Sequence, residues 1–328
     1  MLCPSVGVMS DLQKRLGYRY PIFNASMAGA AGGQLAAAVS TAGGVGMIGV
    51  PAAPSPQWIE EQLSHVRELP TPWGAGFMGW ALEQDMGPLQ AFLNERPSLV
   101  CISFGEVGRP AALARESGVL TAMQIGNAQD LQRAQDADID IIICRGGEGG
   151  GHGRNEAGTL ALLQLAVNAT DKPVVAAGGI GTARGVAAAL AGGAQAVWVG
   201  TRFITAAEAS GHARFKDAVN AAGLDDTVYT RAFDIAQQLP WAPEFGGRAL
   251  ANEFSRRWAG DLSGLEERAD AALRERMKQA RADADPQIAP VYAGQAAAFS
   301  IRVQPAAQIM EELCGFRELL ADAARRFA

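Results

Sequence analysis

The chain has 328 residues, of which 48% are hydrophobic and 19% are charged, and its formal net charge at pH 7 is −6. This composition excludes a disordered or coiled-coil protein and predicts a globular one. A negative chain without a run of Lys or Arg also argues against nucleic acid as a partner, so a small-molecule ligand is favoured.

Cysteine usage and the first residues indicate the cellular compartment. Four widely spaced cysteines without a Cys-x-x-Cys pair argue against a disulfide framework and against structural zinc: Cys3, Cys101, Cys144 and Cys314. Residues 1–17 have neither the charged and apolar regions of a signal peptide nor an apolar run long enough to span a membrane. We therefore expect a cytoplasmic protein with no targeting segment and no membrane partner.

Eight short apolar runs follow one another up to residue 208, and each precedes a stretch with helical periodicity. Because the runs are apolar throughout, we expect them to be buried on both faces in a parallel sheet. Eight βα units predict an α/β fold of the (β/α)8 TIM barrel type, favoured over a doubly wound sheet because the first strand lacks an early GxGxxG. The predicted strands cover residues 21–26, 45–49, 74–78, 99–105, 120–126, 140–146, 173–179 and 196–203.

The pattern changes beyond about residue 208, where strand signals disappear and charged helical segments appear, such as the solvated helix predicted over 263–285. The tract 238–258 holds two tryptophans and two prolines and is predicted to form a cap or lid. The amphipathic segment 305–327 is predicted to be the closing barrel helix. We therefore predict a barrel of residues 1–208 and 290–328, and a helical cap or substrate-side insertion of residues 209–289.

Glycine-rich turns follow the seventh and eighth predicted strands, at the end of a barrel where ligands bind. Each turn alone could be only a tight connection. Two such turns on these strands, with a helix N-terminus close by, are typical of a barrel phosphate site, because their backbone N–H groups face the anion. The expected phosphate-binding residues are Gly178, Gly179, Gly200 and Thr201.

A phosphate-bearing cofactor in a barrel can be FMN, pyridoxal phosphate or a sugar phosphate. No lysine lies on a predicted strand, which argues against pyridoxal phosphate, and the strand ends supply too few carboxylates and histidines for a metal. A flavin is therefore favoured, and no metal is expected. Gln124 would be an amide partner for the edge of the flavin ring. The backbone of Ser26, Met27 and Ala28 would line another side of the flavin site.

His152 lies a few residues after the sixth predicted strand, in RGGEGGGHGR (145–154). An isolated loop histidine is usually only solvated, but this one lies at the expected catalytic face. Glycines let the loop backbone approach a ligand closely, and an imidazole can take a proton at neutral pH or hold an anion as imidazolium. His152 is the expected catalytic residue, whereas His65 and His212 lack this context.

Four ordered blocks of the sequence carry a further signal: residues 26–49, 147–163, 176–204 and 291–299. Together they resemble the nitronate monooxygenases, formerly called 2-nitropropane dioxygenases, a family of FMN-dependent barrel enzymes. Residues 26–49 are similar to the first motif of the family, and residues 147–163 are similar to its E-x-G-G-H-x-G loop. Residues 176–204 resemble its phosphate-binding stretch, and VYAGQAAAF (291–299) resembles a shorter C-terminal motif. The resemblance implies a flavoprotein oxidoreductase.

The resemblance implies FMN as a non-covalent cofactor, with His152 as the catalytic residue beside the flavin. Two positions depart from the family pattern: relatives often carry Gln or Asp where this chain has Arg145, and GAGFMGW (74–80) lacks an asparagine common in relatives. A cation facing the ring would stabilise an anionic flavin, whereas one pointing outward would change nothing. The flavin contacts implied are Ser26, Met27, Gln124, Arg145, Gly150, Gly151, Gly178, Gly179, Gly200 and Thr201.

The activity implied by the resemblance is the oxidation of alkyl nitronates, and of nitroalkanes, with O2 to a carbonyl compound and nitrite. In this hypothesis the nitronate gives one electron to FMN, O2 reacts with the resulting radicals, and His152 deprotonates a neutral nitroalkane or positions the nitronate. NAD(P)H:quinone reductases and FMN-dependent enoyl-acyl carrier protein reductases are alternatives on the same fold, and a non-enzymatic phosphate sensor is another. The expected partners are a nitronate and O2, with a homodimer left open.

Overall fold

The computed structural model describes residues 9–327, and its central feature is a barrel of eight parallel strands. The described residues form eleven strands, of which β7, β10 and β11 lie outside the barrel. In chain order they are β1 (Ile22–Asn24), β2 (Gly46–Gly49), β3 (Trp73–Met78), β4 (Leu99–Ser103), β5 (Leu120–Ile125), β6 (Ile141–Arg145), β7 (Gly151–His152), β8 (Val174–Ala177), β9 (Ala196–Val199), β10 (Thr227–Thr230) and β11 (Gly247–Leu250). The barrel order is β1-β9-β8-β6-β5-β4-β3-β2, and a parallel bridge between Phe23 and Val45 joins its two edges. The predicted TIM barrel is confirmed.

Seventeen α-helices lie before, between and after the strands of the described part of the chain. They are α1 (Asp11–Leu16), α2 (Gly33–Thr41), α3 (Pro56–Ser64), α4 (Gly79–Leu82), α5 (Gly87–Asn94), α6 (Gly108–Glu116), α7 (Ala128–Asp136), α8 (Thr159–Ala169), α9 (Ala183–Ala191), α10 (Thr201–Ile204), α11 (Ala213–Ala221), α12 (Ala232–Gln237), α13 (Glu253–Trp258), α14 (Leu262–Glu266), α15 (Ala271–Ala282), α16 (Ala306–Cys314) and α17 (Phe316–Phe327). A 3₁₀ helix covers Gln295–Phe299. Within residues 9–327, no helix has the length and apolar character needed to cross a membrane.

Two apolar layers explain why the strands are apolar at nearly every position. In β6, Ile141 and Ile143 belong to the cluster inside the barrel, whereas Ile142 and Cys144 belong to the cluster between the strands and the helices. Successive side chains of a strand point to opposite faces, so both faces of a barrel strand such as β6 are buried. Helix α1 contributes to the inner cluster and closes the end of the barrel at which the strands begin.

The eighth barrel strand is shorter than the sequence pattern predicts. The prediction extends it to residue 203, but β9 ends at Val199 and the next residues form α10. Gly200 has φ −98° and ψ −81°, so the chain leaves the sheet at this glycine. This turn places the backbone N–H groups of Gly200 and Thr201 at the end of the barrel.

The segment 209–289 contains an apolar cluster of its own, which includes Phe233, Phe254, Leu265 and Met277. Strands β10 and β11 pair antiparallel, and β11 also pairs with β7 in the loop after β6. The sequence pattern predicts no strand here, because β10 and β11 have only four residues each and one partner lies in a distant loop. The predicted domain boundaries stay a prediction.

The prediction that the chain has no targeting segment rests partly on residues 1–8. Residues 1–8, which include Cys3, and residue 328 lie outside the described residues. In the described part of the chain, Cys101, Cys144 and Cys314 are free thiols. Burial raises the pKa of Cys101 and of Cys144 to about 12, so neither is a thiolate nucleophile at neutral pH.

Candidate active site

The loop after β6 surrounds the guanidinium of Arg145, the buried last residue of that strand. Nη1 of Arg145 donates a hydrogen bond to the carbonyl of Arg154 at 2.9 Å. Nη2 donates to three further carbonyls, those of Gly149, Gly150 and Gly151. Burial lowers the pKa of Arg145 to about 10, which leaves it charged at neutral pH. The structure therefore shows Arg145 holding the glycine loop, and its role as a flavin contact stays a prediction.

We expect Arg145→Lys to lower the free energy of unfolding by about 2–3 kcal/mol, because an ammonium group cannot reach all four carbonyls that the planar guanidinium binds. Chemical denaturation followed by tryptophan fluorescence measures the change. The exposed Arg276→Lys is the matched control and should stay within about 0.5 kcal/mol of the parent protein. Equal stability of the two variants would show that these hydrogen bonds do not hold the loop.

Two other charged side chains fix the same loop. The carboxylate of Glu148 accepts hydrogen bonds from the backbone N and from Oγ1 of Thr159, the first residue of α8, at 3.0 and 2.9 Å. Arg154 forms an ion pair with the buried Asp130 at 2.7 Å, and its guanidinium lies 5.0 Å from the ring centroid of Phe245. Both charges are therefore engaged in shaping the loop.

His152 lies in β7, opposite Gly247 of β11. Its Nε2 is 2.8 Å from Oδ1 of Asp234, a buried residue of α12. The His152 side chain is 9% exposed, and its Nδ1 has no hydrogen-bond partner among residues 9–327. The segment after the eighth barrel strand therefore supplies the partner of the predicted catalytic residue.

Aromatic rings enclose the imidazole of His152. It is stacked on the indole of Trp241, with ring centroids 3.7 Å apart and an interplanar angle of 4°. Tyr292 lies on another side, with ring centroids 5.1 Å apart. One face of the imidazole is therefore covered by Trp241, and the ring cannot rotate freely.

Trp241 belongs to a larger aromatic cluster, which we name the aromatic cover: Trp80, Phe104, Trp241 and Phe245. Trp241 contacts Trp80 and Phe104 edge to face at 5.5 and 5.2 Å, and Phe104 contacts Phe245 at 5.2 Å. Trp80 lies in α4, directly after β3. Trp241 and Phe245 come from the tract 238–258, in which a cap or lid is predicted, so this tract meets the loops after β3 and β4.

Gln124 borders a narrow cavity beside two rings of the aromatic cover. Its backbone N donates to Oγ of Ser103 at 3.0 Å, but its side-chain amide has no hydrogen-bond partner in the described part of the chain. An amide with a free donor and a free acceptor suits the polar edge of a flavin ring. The cavity is lined by Phe104, Gln124, Ile125, Gly126, Asp130, Arg145, Gly153, Arg154 and Phe245.

The residues predicted to bind phosphate lie at the ends of the neighbouring strands β8 and β9. Gly178 and Gly179 have φ values of +106° and +68°, a backbone conformation that favours glycine. The backbone N–H groups of Gly178, Gly179, Gly200 and Thr201 have no hydrogen-bond partner among residues 9–327. Unpartnered amides gathered at the ends of paired strands suit an anion such as a phosphate.

The loop after β1 borders the same end of the barrel. Sδ of Met27 is 3.6 Å from the position that a Cβ would take on Gly200. Oγ of Ser26 is 2.0 Å from the corresponding position on Gly76 of β3, so the loop lies directly against that strand. Met27 therefore adjoins the predicted phosphate-binding turn at Gly200, and Ser26 adjoins strand β3.

Gly150 and Gly151 approach the C-terminal segment 291–299. A Cβ on Gly150 would be 2.5 Å from the backbone N of Gly294, and that N–H donates to Oγ1 of Thr201 at 2.8 Å. Gly151 has a φ of +70°. The histidine loop is thus joined through Gly294 to the phosphate-binding turn. Within residues 9–327, no group of three His, Cys, Asp or Glu side chains is placed to hold a metal.

Three residues around the imidazole were not identified from the sequence: Asp234, Trp241 and Tyr292. Asp234 is an acid among apolar residues in AFDIAQ (232–237), which is a weak signal of a buried carboxylate. Tyr292 lies inside the C-terminal motif, and Trp241 lies inside the tract predicted as a lid. Each approaches His152 only through tertiary structure, so no local pattern reveals the contact.

Fold and site together define a barrel enzyme. A histidine paired with a buried carboxylate, an unpartnered glutamine amide and several unpartnered backbone amides lie at the ends of parallel strands, where barrel enzymes bind their ligands. The family model for nitronate monooxygenase matches residues 77–315, and the chain belongs to this family of oxidoreductases. The family predicted from the sequence motifs is confirmed.

Similar proteins carry more than one named activity. The chain is 31% identical over 323 residues to nitronate monooxygenase npaC of Metarhizium robertsii, and the match covers 89% of each chain. It is 34% identical over 226 residues to the (3aS,4S,5R,7aS)-5-hydroxy-7a-methyl-1-oxo-octahydro-1H-indene-4-carboxyl-CoA dehydrogenase of Rhodococcus jostii, covering 68% of this chain and 63% of that one. The structure of FabK from Thermotoga maritima has a TM-score of 0.85 and 28% identity, covering 98% of this chain and 100% of that one.

Proposed function

We propose that the protein oxidises alkyl nitronates, and neutral nitroalkanes after deprotonation, with O2 to a carbonyl compound and nitrite. The observation that carries the proposal is the placement of His152, an imidazole with one unpartnered ring nitrogen beneath the aromatic cover. The family membership supports the same chemistry. In the net reaction two nitronates consume one O2. In each nitronate the C–N bond breaks, a C=O bond forms with one oxygen atom of O2, and nitrogen leaves as nitrite.

FMN is the cofactor in this proposal, and the described residues fit it. The unpartnered N–H groups of Gly178, Gly179, Gly200 and Thr201 would hold the phosphate, and the side-chain amide of Gln124 would meet the edge of the ring. When bound, FMN supplies an acceptor for the electrons of the nitronate and a route for them to O2.

His152 has a different task with each form of the substrate. In a neutral nitroalkane the C–H bond beside the nitro group is acidic, and His152 takes this proton to give the nitronate. When the nitronate itself is the substrate, protonated His152 binds the anion. The aromatic cover limits access of water and offers apolar surroundings to the alkyl chain, which strengthens charge interactions at the imidazole.

We expect the purified protein to be yellow, to release FMN on heat denaturation, and to form nitrite from a nitronate under air. Mass spectrometry of the released flavin identifies the cofactor, and a colorimetric nitrite assay with parallel measurement of O2 uptake identifies the reaction. Protein that binds no flavin when incubated with FMN would contradict the cofactor. Flavin-loaded protein that forms no nitrite would contradict the activity.

A second candidate is NAD(P)H-linked chemistry, as in the quinone and enoyl reductases of the same fold. It is favoured by the 34% identity with a protein named as a dehydrogenase. Anaerobic titration separates the two candidates, because bleaching of the flavin by NADH or NADPH supports the reductase, whereas a change of the flavin spectrum caused by a nitronate alone supports the oxidase.

A further inference from the structure

We propose that Asp234 is a positioning residue, whose carboxylate keeps the proton of neutral His152 on Nε2 and leaves Nδ1 as the base. The inference rests on the proposed function, in which His152 removes a proton from carbon. It assigns a role to a residue outside the barrel and names the atom that reacts.

The hydrogen bond itself determines the tautomer. An ionised carboxylate only accepts hydrogen bonds, so the 2.8 Å contact between Oδ1 of Asp234 and Nε2 of His152 requires the proton on Nε2. A neutral imidazole has its proton on one nitrogen and its lone pair on the other. The lone pair therefore lies on Nδ1, the nitrogen without a partner in the described part of the chain.

The burial of Asp234 supports a functional role for its carboxylate. Asp234 is only 3% exposed, and its Oδ2 has no hydrogen-bond partner among residues 9–327. The hydroxyl of Tyr292 lies 3.4 Å from the same Oδ1 that binds the imidazole. A buried carboxylate with an unpartnered oxygen destabilises a fold, whereas an apolar residue on this helix would avoid that penalty. A role in orienting the imidazole of His152 explains why this position holds a carboxylate.

The same carboxylate acts again once the proton has moved. Proton transfer to Nδ1 turns His152 into an imidazolium, and the negative charge of Asp234 stabilises this cation in a buried site. The stack on Trp241 fixes the orientation of the imidazole plane, and the hydrogen bond to Asp234 prevents the ring from turning within that plane. Together these two contacts present one fixed edge of the imidazole to the substrate.

The tautomer can be measured without any turnover. The chain has three histidines, so ¹⁵N NMR of histidine-labelled protein resolves each ring, and the variant His152→Gln identifies the signal of interest. We expect neutral His152 to carry its proton on Nε2 in the parent protein. In Asp234→Asn, where the amide NH2 can donate to Nε2, we expect this single tautomer to be lost. A proton on Nδ1 in the parent protein, or an unchanged tautomer in the variant, would overturn the inference.

Kinetics with two substrates separate positioning from a structural role. We expect Asp234→Asn to lower kcat/KM for a neutral nitroalkane by about 10²–10⁴-fold, with a change of less than about tenfold for the preformed nitronate, which needs no deprotonation. Asp217→Asn, an exposed change in α11, is the control and should leave both values unaltered. Equal losses with both substrates would overturn the inference. A parent protein inactive on both would instead contradict the proposed function, while the NMR result still decides the role of Asp234.

Discussion

His152→Ala is expected to lower kcat/KM for a neutral nitroalkane by about 10²–10⁴-fold, because the variant lacks the group that takes the proton from carbon. The loss with a preformed nitronate should be smaller, since the carbon is already deprotonated. Oxygen uptake and nitrite release measured with nitroethane and with its nitronate give both values.

The exposed His65→Ala, at the end of α3, is the control for this experiment and should behave like the parent protein. An unaltered flavin spectrum in His152→Ala would show that the cofactor site is intact, so that the loss reflects proton transfer. Unchanged turnover of the neutral nitroalkane would remove His152 from the mechanism.

Gly150→Ala should affect both stability and turnover. The added Cβ would lie 2.5 Å from N of Gly294 and 2.6 Å from the carbonyl carbon of Ala293, and these backbone atoms cannot rotate away. The loop must therefore move, and it carries His152 with it. We expect the free energy of unfolding to fall by about 1–3 kcal/mol and kcat/KM to fall by about 10–100-fold.

Gly260→Ala is the matched control, because within residues 9–327 no heavy atom beyond Gly260 and its chain neighbours lies within 4 Å of the position of its Cβ. It should change the free energy of unfolding by no more than about 0.5 kcal/mol and leave kcat/KM unaltered. Chemical denaturation and steady-state kinetics compare the variants. If Gly150→Ala matched Gly260→Ala in both, the close contact between the loop and Gly294 would not be what positions His152.

The barrel could be predicted from the sequence because its strands are local apolar runs. In β6 the run IIICR is buried along its whole length, and one run of this kind begins each βα unit. Prediction was weaker where few residues form an element. The pattern continued the eighth strand into α10, since the turn at Gly200 depends on its backbone angles. It also missed β10 and β11, whose pairing includes a strand from a distant loop.

The predicted site residues lie at the barrel end where ligands are expected. Gly178, Gly179, Gly200 and Thr201 could be placed from their spacing, because turns after adjacent parallel strands meet at one edge. For Arg145 the sequence left two orientations open, toward the flavin ring or outward. The structure shows its guanidinium bound to four carbonyls of its own loop, an arrangement that depends on how the loop folds back.

The barrel, the family and the place of His152 after the sixth barrel strand could all be predicted without a structure, because each depends on contiguous apolar runs and short motifs. The surroundings of the imidazole depend instead on how distant segments pack together. Asp234 is separated from His152 by 82 positions along the chain, and Trp241 by a similar distance. A hydrogen bond or a ring stack depends on where two distant side chains meet in space, and that is set by the packing of α12 and the aromatic cover against the barrel.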